Sequence, residues 1–140
     1  MNKVILITGC SSGFGMLTAA KLAAAGHTIY ATMRNLQKQN ALMLELEQRD
    51  TMCQILHLDV TEDKSINKVI DIIEKQAGRL DVLINNAGYG IGGFFEDLLE
   101  DEIRSQFETN FFGVQKVTRS AYPLCEPLLR NQVKIFPPRS

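Results

Sequence analysis

Short apolar runs alternate with longer amphipathic segments along the chain, and this alternation predicts a sheet covered by helices. Four runs have the length and composition of buried parallel strands. Between them, apolar residues recur at helical spacing, as in Ile66, Val69, Ile70 and Ile73. The predicted strands are 4–7, 28–32, 53–58 and 82–84, and the predicted helical stretches include 19–25, 36–48, 62–77 and 100–121.

The residues predicted to begin and end the helices agree with a single α/β domain. Gly26 and Gly78 are predicted to end helices, and Thr61 is predicted to cap the helix that follows the third strand. Strands separated by helices and short turns require right-handed crossovers, which make the strands parallel. The fold class is therefore a doubly wound, Rossmann-like parallel sheet, whose ligands bind beyond the carboxyl ends of the strands.

A glycine-rich turn from Thr8 to Gly15 lies between the first strand and the first helix. Gly9, Gly13 and Gly15 permit a tight turn and let a ligand approach the backbone closely. The amides at the start of a helix attract anions, so this turn has the features of a diphosphate-binding loop. An ordinary strand-to-helix turn is the alternative interpretation.

Charge and cysteine content narrow the class of protein further. The chain has 15 basic and 16 acidic residues and a net charge of −1, so neither nucleic acid nor an anionic membrane is an expected partner. Three separated cysteines without metal-ligand spacing indicate reduced thiols and no metal site. The first apolar run is too short for a signal peptide or a membrane span, and a cytoplasmic protein is expected.

Four motifs, in order and at characteristic spacings, resemble the short-chain dehydrogenase/reductase family of classical type. They are Thr8-Gly9-x-x-x-Gly13-x-Gly15, Asp59-Val60, Asn85-Asn86-Ala87-Gly88 and Asn110. The resemblance implies a nicotinamide dinucleotide cofactor and a small carbonyl or alcohol substrate. It assigns cofactor binding to Gly9, Ser11, Ser12, Gly13, Phe14, Gly15, Arg34, Asp59, Val60, Asn86, Ala87 and Gly88.

The resemblance also implies a role for each motif. The glycine turn would wrap the diphosphate, and Asp59 with the Val60 backbone would contact the adenine, although Asp59 is alternatively a simple strand-end cap. Asn86 to Gly88 would line the ribose, whereas Asn85 is expected to tie the strand end back to Thr8. Asn110 would bend its helix and hold a water in the proton relay, and it is the only member of the catalytic tetrad retained.

The residue that follows the second strand bears on the choice of cofactor. Relatives that use NAD carry an acid there, whereas this chain has Met33-Arg34. An arginine can pair with the 2′-phosphate through charge-assisted hydrogen bonds, so NADP is predicted over NAD. A solvated arginine at the start of a loop is the alternative.

The family pattern stops before its catalytic pair. None of Tyr30, Tyr89 and Tyr122 is followed four residues later by lysine, so the Tyr-x-x-x-Lys motif is absent. All four prolines fall at or after Pro123, which separates a nucleotide-binding segment, 1–124, from a divergent tail, 125–140. Truncation or a frame shift explains that tail most simply, with 133–136 as a remnant of a fifth strand.

Three hypotheses about function follow. The first is an NADP-dependent oxidoreductase acting on a ketone or a secondary alcohol. The second, favoured for the 140 residues, is a non-catalytic nucleotide-binding or dimerising half-domain. The third is a non-functional fragment of an interrupted gene. An uncovered sheet edge and the apolar side of the Asn110 helix also favour a homo-oligomer.

Overall fold

The computed structural model describes residues 1–129, and their centre is a four-stranded parallel sheet. The order of the strands is β3-β2-β1-β4, so the chain crosses from one side of β1 to the other between β3 and β4. This topology confirms the predicted doubly wound α/β class. The strands are β1 (Val4–Ile7), β2 (Thr28–Met33), β3 (Gln54–His57) and β4 (Val82–Ile84).

Five α-helices occupy the described part of the chain: α1 (Gly13–Ala24), α2 (Asn40–Glu47), α3 (Asp63–Ala77), α4 (Glu100–Phe107) and α5 (Gly113–Leu129). The single helix predicted over 36–48 is divided in the structure. A 3-10 turn, Leu36–Lys38, comes first, because the side chain of Asn35 accepts a hydrogen bond from the Gln37 amide and caps that turn.

Each face of the sheet has its own apolar core, since successive side chains along a strand point to opposite faces. Leu6 and Tyr30 pack on one side with residues of α3 and α5. Ile5 and Ile29 pack on the other side with the alanines of α1 and residues of α2. The small alanines let α1 lie close to the strands, which places its N-terminus directly beyond β1.

The edge strand β4 differs from its predicted environment. The continuous apolar run Val82–Ile84 predicts a strand covered on both faces, but all three residues are only half-buried. The reason is that β4 is the last strand of the four-stranded sheet formed by residues 1–129. Within residues 1–129 no strand pairs with the outer edge of β4, and the apolar helix side is exposed as predicted, since Phe107, Phe111 and Phe112 are about half exposed.

The predicted N-cap of α3 is wrong, whereas the predicted glycine at its C-terminal end is confirmed. The sequence predicts Thr61 as its N-cap, but the N-cap is Glu62. The Thr61 amide and hydroxyl instead donate to Asp59 Oδ1, at 2.9 and 2.7 Å, so Thr61 belongs to a local turn before the helix. Gly78 ends the helix as predicted, in a left-handed conformation with φ of 65°.

Helix α5 continues to Leu129 and passes through Pro123 and Pro127, so the predicted boundary between residues 124 and 125 falls within a helix. The predicted strand remnant at 133–136 lies outside the described residues. Cys10, Cys53 and Cys125 are all free thiols. Within residues 1–129, the helices are too short or too polar to cross a bilayer.

Candidate functional site

A cleft of about 450 Å³ opens at the carboxyl edge of the sheet, where the loops after all four strands meet. Ten of the twelve residues predicted to bind the cofactor line it, together with Tyr89 and Thr109. The ten are Gly9, Ser11, Ser12, Phe14, Arg34, Asp59, Val60, Asn86, Ala87 and Gly88. The sequence therefore located the cleft, although four separate parts of the chain contribute to it.

The two remaining residues, Gly13 and Gly15, shape the turn from outside the cleft. Gly13 has φ of 59°, which suits glycine at the first position of α1. A Cβ on Gly15 would lie under 3.0 Å from the Gly9 carbonyl oxygen and from the Asn86 side chain. A Cβ on Gly9 would lie 2.7 Å from the Ala87 Cα. Gly9 and Gly15 thus let three backbone segments converge.

The N-terminus of α1 has the properties of an anion-binding position. Ser12 precedes the helix in an extended conformation, with φ of −164°, and its side chain makes no capping hydrogen bond. The first turn also contains no acidic residue. The first amides of α1 are consequently available to a ligand, and the helix dipole favours a negatively charged one.

A buried threonine joins the glycine turn to the end of β4. Thr8 is 1% exposed, and its hydroxyl accepts hydrogen bonds from the amides of Asn86 at 3.1 Å and Ala87 at 3.0 Å. The Asn86 carboxamide donates to the carbonyls of Thr8 and Gly9, at 3.1 and 2.9 Å. This network holds the first and fourth strand ends in fixed register.

The network corrects the predicted role of Asn85. The sequence predicts that this residue ties the strand end to Thr8, but its side chain donates to Thr118 Oγ1 on α5, at 3.1 Å. Asn86 makes the tie instead. The physical reason is the alternation of side chains at a strand end, which points neighbouring asparagines in opposite directions.

Two charged residues face the cleft from the ends of β2 and β3. Arg34 is exposed, and it forms no ion pair within the described residues. Asp59 uses Oδ1 for both hydrogen bonds from Thr61, so its second carboxylate oxygen can accept from a ligand. The guanidinium of Arg34 thus offers the cleft several hydrogen-bond donors, and the carboxylate of Asp59 offers it an acceptor.

Asn110 lies in a π-helical turn, Glu108–Phe112, between α4 and α5. The predicted local irregularity at this asparagine is confirmed. The side chain, however, binds the backbone of Tyr89: it accepts from the Tyr89 amide at 3.0 Å and donates to the Tyr89 carbonyl at 2.7 Å. Asn110 therefore shapes the wall of the cleft through Tyr89.

Thr109 is a lining residue that nothing in the sequence singles out. It lines the cleft from within the π-turn, a local irregularity that the hydrophobic pattern does not reveal. Tyr89 lies beside the Asn86–Gly88 motif, and its position depends on Asn110.

Cys10, in the glycine turn, is fully buried and its thiol donates to the Ile7 carbonyl. Burial raises the pKa of Cys10 to about 12, although a backbone hydrogen bond from Thr32 opposes the shift. A thiol with this pKa is protonated at neutral pH and is a poor nucleophile. Cys10 is a core residue beneath the cleft.

The parallel sheet, the glycine turn at the first helix and the polar residues at the strand ends define a doubly wound domain of the Rossmann-like class. The short chain dehydrogenase family model matches residues 3–132. The chain therefore belongs to the short-chain dehydrogenase family, whose members are NAD(P)-dependent oxidoreductases.

Individual relatives agree with this assignment. The chain is 38% identical to 3-ketodihydrosphingosine reductase of Bacteroides thetaiotaomicron over 94% of this chain and 45% of that protein. It is 42% identical to the uncharacterized oxidoreductase YusZ of Bacillus subtilis over 87% of this chain and 44% of that protein. The chain thus spans less than half the length of these relatives.

A solved structure shows the same arrangement of elements. The F189W actinorhodin polyketide ketoreductase, determined with NADPH, superimposes with a TM-score of 0.82 at 28% identity. The match covers 92% of this chain and 49% of the ketoreductase. The described sheet and helices therefore correspond to about half of a complete short-chain dehydrogenase fold.

Proposed function

We propose that these residues bind a nicotinamide dinucleotide in the cleft, with NADP preferred over NAD. The single observation that supports this most strongly is the uncapped N-terminus of α1, which opens on the same cleft as Arg34 and Asp59. Diphosphate at the helix, 2′-phosphate at Arg34 and adenine at Asp59 and Val60 would satisfy each of these groups.

The remaining cofactor residues have supporting roles in this proposal. Gly9, Ser11, Ser12 and Phe14 would surround the diphosphate, while Gly13 and Gly15 maintain the turn. Asn86, Ala87 and Gly88 would lie against the ribose. The fit is chemical as well as geometric, since amides and a guanidinium meet the anionic groups and a carboxylate oxygen meets an amine.

When bound, the dinucleotide would supply hydride for the reduction of a carbonyl, or accept it from a secondary alcohol. The resemblance assigns the accompanying acid–base step to a tyrosine followed four residues later by lysine, and residues 1–140 contain no such pair. We therefore propose that the 140 residues by themselves bind the dinucleotide and do not turn over a small-molecule substrate. General acid–base catalysis is worth about 10²–10⁴-fold in rate.

The test compares the dissociation constants for NADPH and NADH by calorimetry, beside NADPH oxidation with a panel of ketones. We expect NADPH to bind at least about tenfold more tightly, because each hydrogen bond to a charged group contributes about 1.5–3 kcal/mol. Arg34→Leu should remove the preference and leave NADH affinity unchanged. Lys38→Met, with the same loss of charge close to Arg34 in the chain, is the matched control and should retain the preference.

Each outcome bears on a different part of the proposal. Equal affinities, or a preference for NADH, would contradict the NADP assignment. Turnover of any ketone would contradict the proposed inactivity of these 140 residues. An absence of binding to both dinucleotides would contradict the nucleotide-binding function itself.

A second candidate function is self-association, and the exposed aromatic residues of the α4 region favour it. A groove of about 440 Å³ is lined there by Ile103, Phe107 and Phe112 beside charged Glu100, Arg104 and Glu108. Apolar surface bounded by charged residues is typical of protein interfaces. Sedimentation equilibrium should show a dimer, and Phe112→Asp should shift it to monomer; a monomeric native chain would contradict this candidate.

A further inference from the structure

The first residue of α5, Gly113, lies against Val60 more closely than any other residue type allows. A Cβ on Gly113 would be 2.6 Å from Val60 Cγ2 and 3.0 Å from Val60 Cβ. Its backbone is ordinary right-handed helix, with φ of −58° and ψ of −45°, so no unusual dihedral angle requires glycine. Glycine is less favourable than alanine within a helix, and the close contact with Val60 is the structural reason for its presence.

One turn further along α5, Lys116 contacts the same loop. Its Nζ donates to the Thr61 carbonyl at 3.1 Å and lies 3.6 Å from Asp63 Oδ1. The amide and hydroxyl of Thr61 in turn donate to Asp59 Oδ1. Asp59, Val60 and Thr61 are therefore held from behind by α5, through one packing contact and one hydrogen bond.

Asn110, three residues before Gly113, contacts the loop after β4 on the opposite side of the cleft. Asn110 binds the backbone of Tyr89, and a Cβ on Gly88 would lie 3.0 Å from Asn110 Oδ1. Residues 110–116 thus touch the loop after β3 and the loop after β4 within two helical turns. Neither Gly113 nor Lys116 lines the cleft.

From this geometry we infer that Gly113 and Lys116 are positioning residues for the adenine end of the nucleotide. They act through Val60 and Thr61, and they contact no ligand themselves. The inference rests on the proposed function, because it takes Asp59 and Val60 as the adenine-binding residues. A methyl group at position 113 must displace Val60 or the helix, and loss of the Lys116 ammonium releases the Thr61 carbonyl.

The experiment separates the two ends of the ligand. NADPH and adenosine 2′,5′-bisphosphate are titrated by calorimetry, and nicotinamide mononucleotide is titrated by NMR. Gly113→Ala should weaken the two adenine-containing ligands by about tenfold, since small misplacements in a binding site have effects of this size or larger. Nicotinamide mononucleotide should bind unchanged. Lys116→Met should show the same selectivity, Lys116→Arg should retain native affinity, and Lys68→Met on exposed α3 surface is the control.

A second-site variant tests the route through Val60. In a Val60→Ala background, Gly113→Ala meets no Cγ2 atom, so its effect on NADPH affinity should shrink at least about threefold. Equal effects in the two backgrounds would overturn the inference. Equal losses for adenine-containing and nicotinamide ligands would also overturn it, because they would indicate general loosening of the fold.

A ligand-independent readout distinguishes failure of this inference from failure of the proposed function. Amide exchange at Thr61 should rise at least about tenfold in Lys116→Met, while exchange at core residue Ile66 stays unchanged. A native chain that binds no dinucleotide would contradict the proposed function and, with it, the adenine role inferred here. Unchanged Thr61 exchange, or native binding that neither variant alters, would overturn the positioning role alone.

Discussion

The Asn110 carboxamide forms a pair of hydrogen bonds with the backbone of Tyr89, which is 21 residues away in the chain. One bond uses the side-chain oxygen and the other uses the side-chain nitrogen. The Asn110 side chain thus pairs with the Tyr89 backbone as the backbone of a neighbouring strand would. Gln106 adds a longer bond, 3.3 Å, to the Ile91 amide. The loop after β4 is thereby attached to the α4–α5 region at two points.

Replacement of Asn110 by leucine should release the loop after β4. The variant loses both bonds to Tyr89 at similar side-chain volume, and each is worth about 0.5–1.5 kcal/mol net. We expect faster amide exchange at Tyr89 and a free energy of unfolding lower by about 1–2 kcal/mol. Ser105→Ala, on the exposed surface of the neighbouring α4, serves as the control. Native-like exchange at Tyr89 in Asn110→Leu would contradict the attachment.

Replacement of Thr8 by valine should strongly destabilise the fold. Valine preserves the shape of threonine but leaves the Asn86 and Ala87 amides without their acceptor, and a buried unsatisfied group costs about 1–3 kcal/mol. We expect urea denaturation to show a loss of about 2 kcal/mol or more. Thr8→Ser keeps the hydroxyl and should lose less. A Thr8→Val variant as stable as the native protein would contradict the role of the hydroxyl.

Stability should fall in acid partly through Asp81. Burial raises the pKa of its carboxyl, but hydrogen bonds from the Val4 amide and from Arg79 together lower it by more. The net pKa therefore lies below its ordinary value. Because the folded-state pKa is depressed, the carboxylate stabilises the fold above its unfolded-state pKa. That contribution is lost as the pH falls through the lower, folded-state value.

The measurement compares native protein with Asp81→Asn across pH by urea denaturation. The native protein should be more stable near neutral pH, and the difference should shrink below about pH 4. The Val4 amide donates to Asp81 Oδ2 at 2.6 Å, so this carboxylate joins the starts of β1 and β4. A difference that does not change with pH would show that Asp81 stabilises the fold only through its shape.

Most of the cleft was predictable because its parts follow strand ends, and strand ends are visible in the hydrophobic pattern. Gly9, Arg34, Asp59 and Asn86 each lie within two residues of the end of an apolar run, and a parallel sheet brings such positions to one edge. The prediction assigned the tie to Thr8 to Asn85 when Asn86 makes it, because a shift of one residue reverses the direction of a side chain. The role of Thr61 was missed for a related reason, since threonine can cap a helix or bind a nearby carboxylate.

The contacts of α5 were less accessible to sequence reasoning. Asn110 was selected through the family resemblance, but its partner lies in a loop whose conformation has no periodic pattern. Gly113 directly follows the π-turn, so its approach to Val60 depends on a local irregularity of the helix. Tertiary contacts of this kind become visible only when the segments are assembled.

At the uncapped start of α1, the proposed diphosphate and a capping side chain would compete for the same amides. An aspartate in place of Ser12 would supply the missing cap, and a good N-cap contributes about 0.5–2 kcal/mol. Ser12→Asp should therefore raise the melting temperature of the free protein while its charge repels an incoming diphosphate. With the proposed dinucleotide bound there, the native serine would leave the helix dependent on that ligand for full stability, and the protein would resist unfolding increasingly as the nucleotide concentration rises.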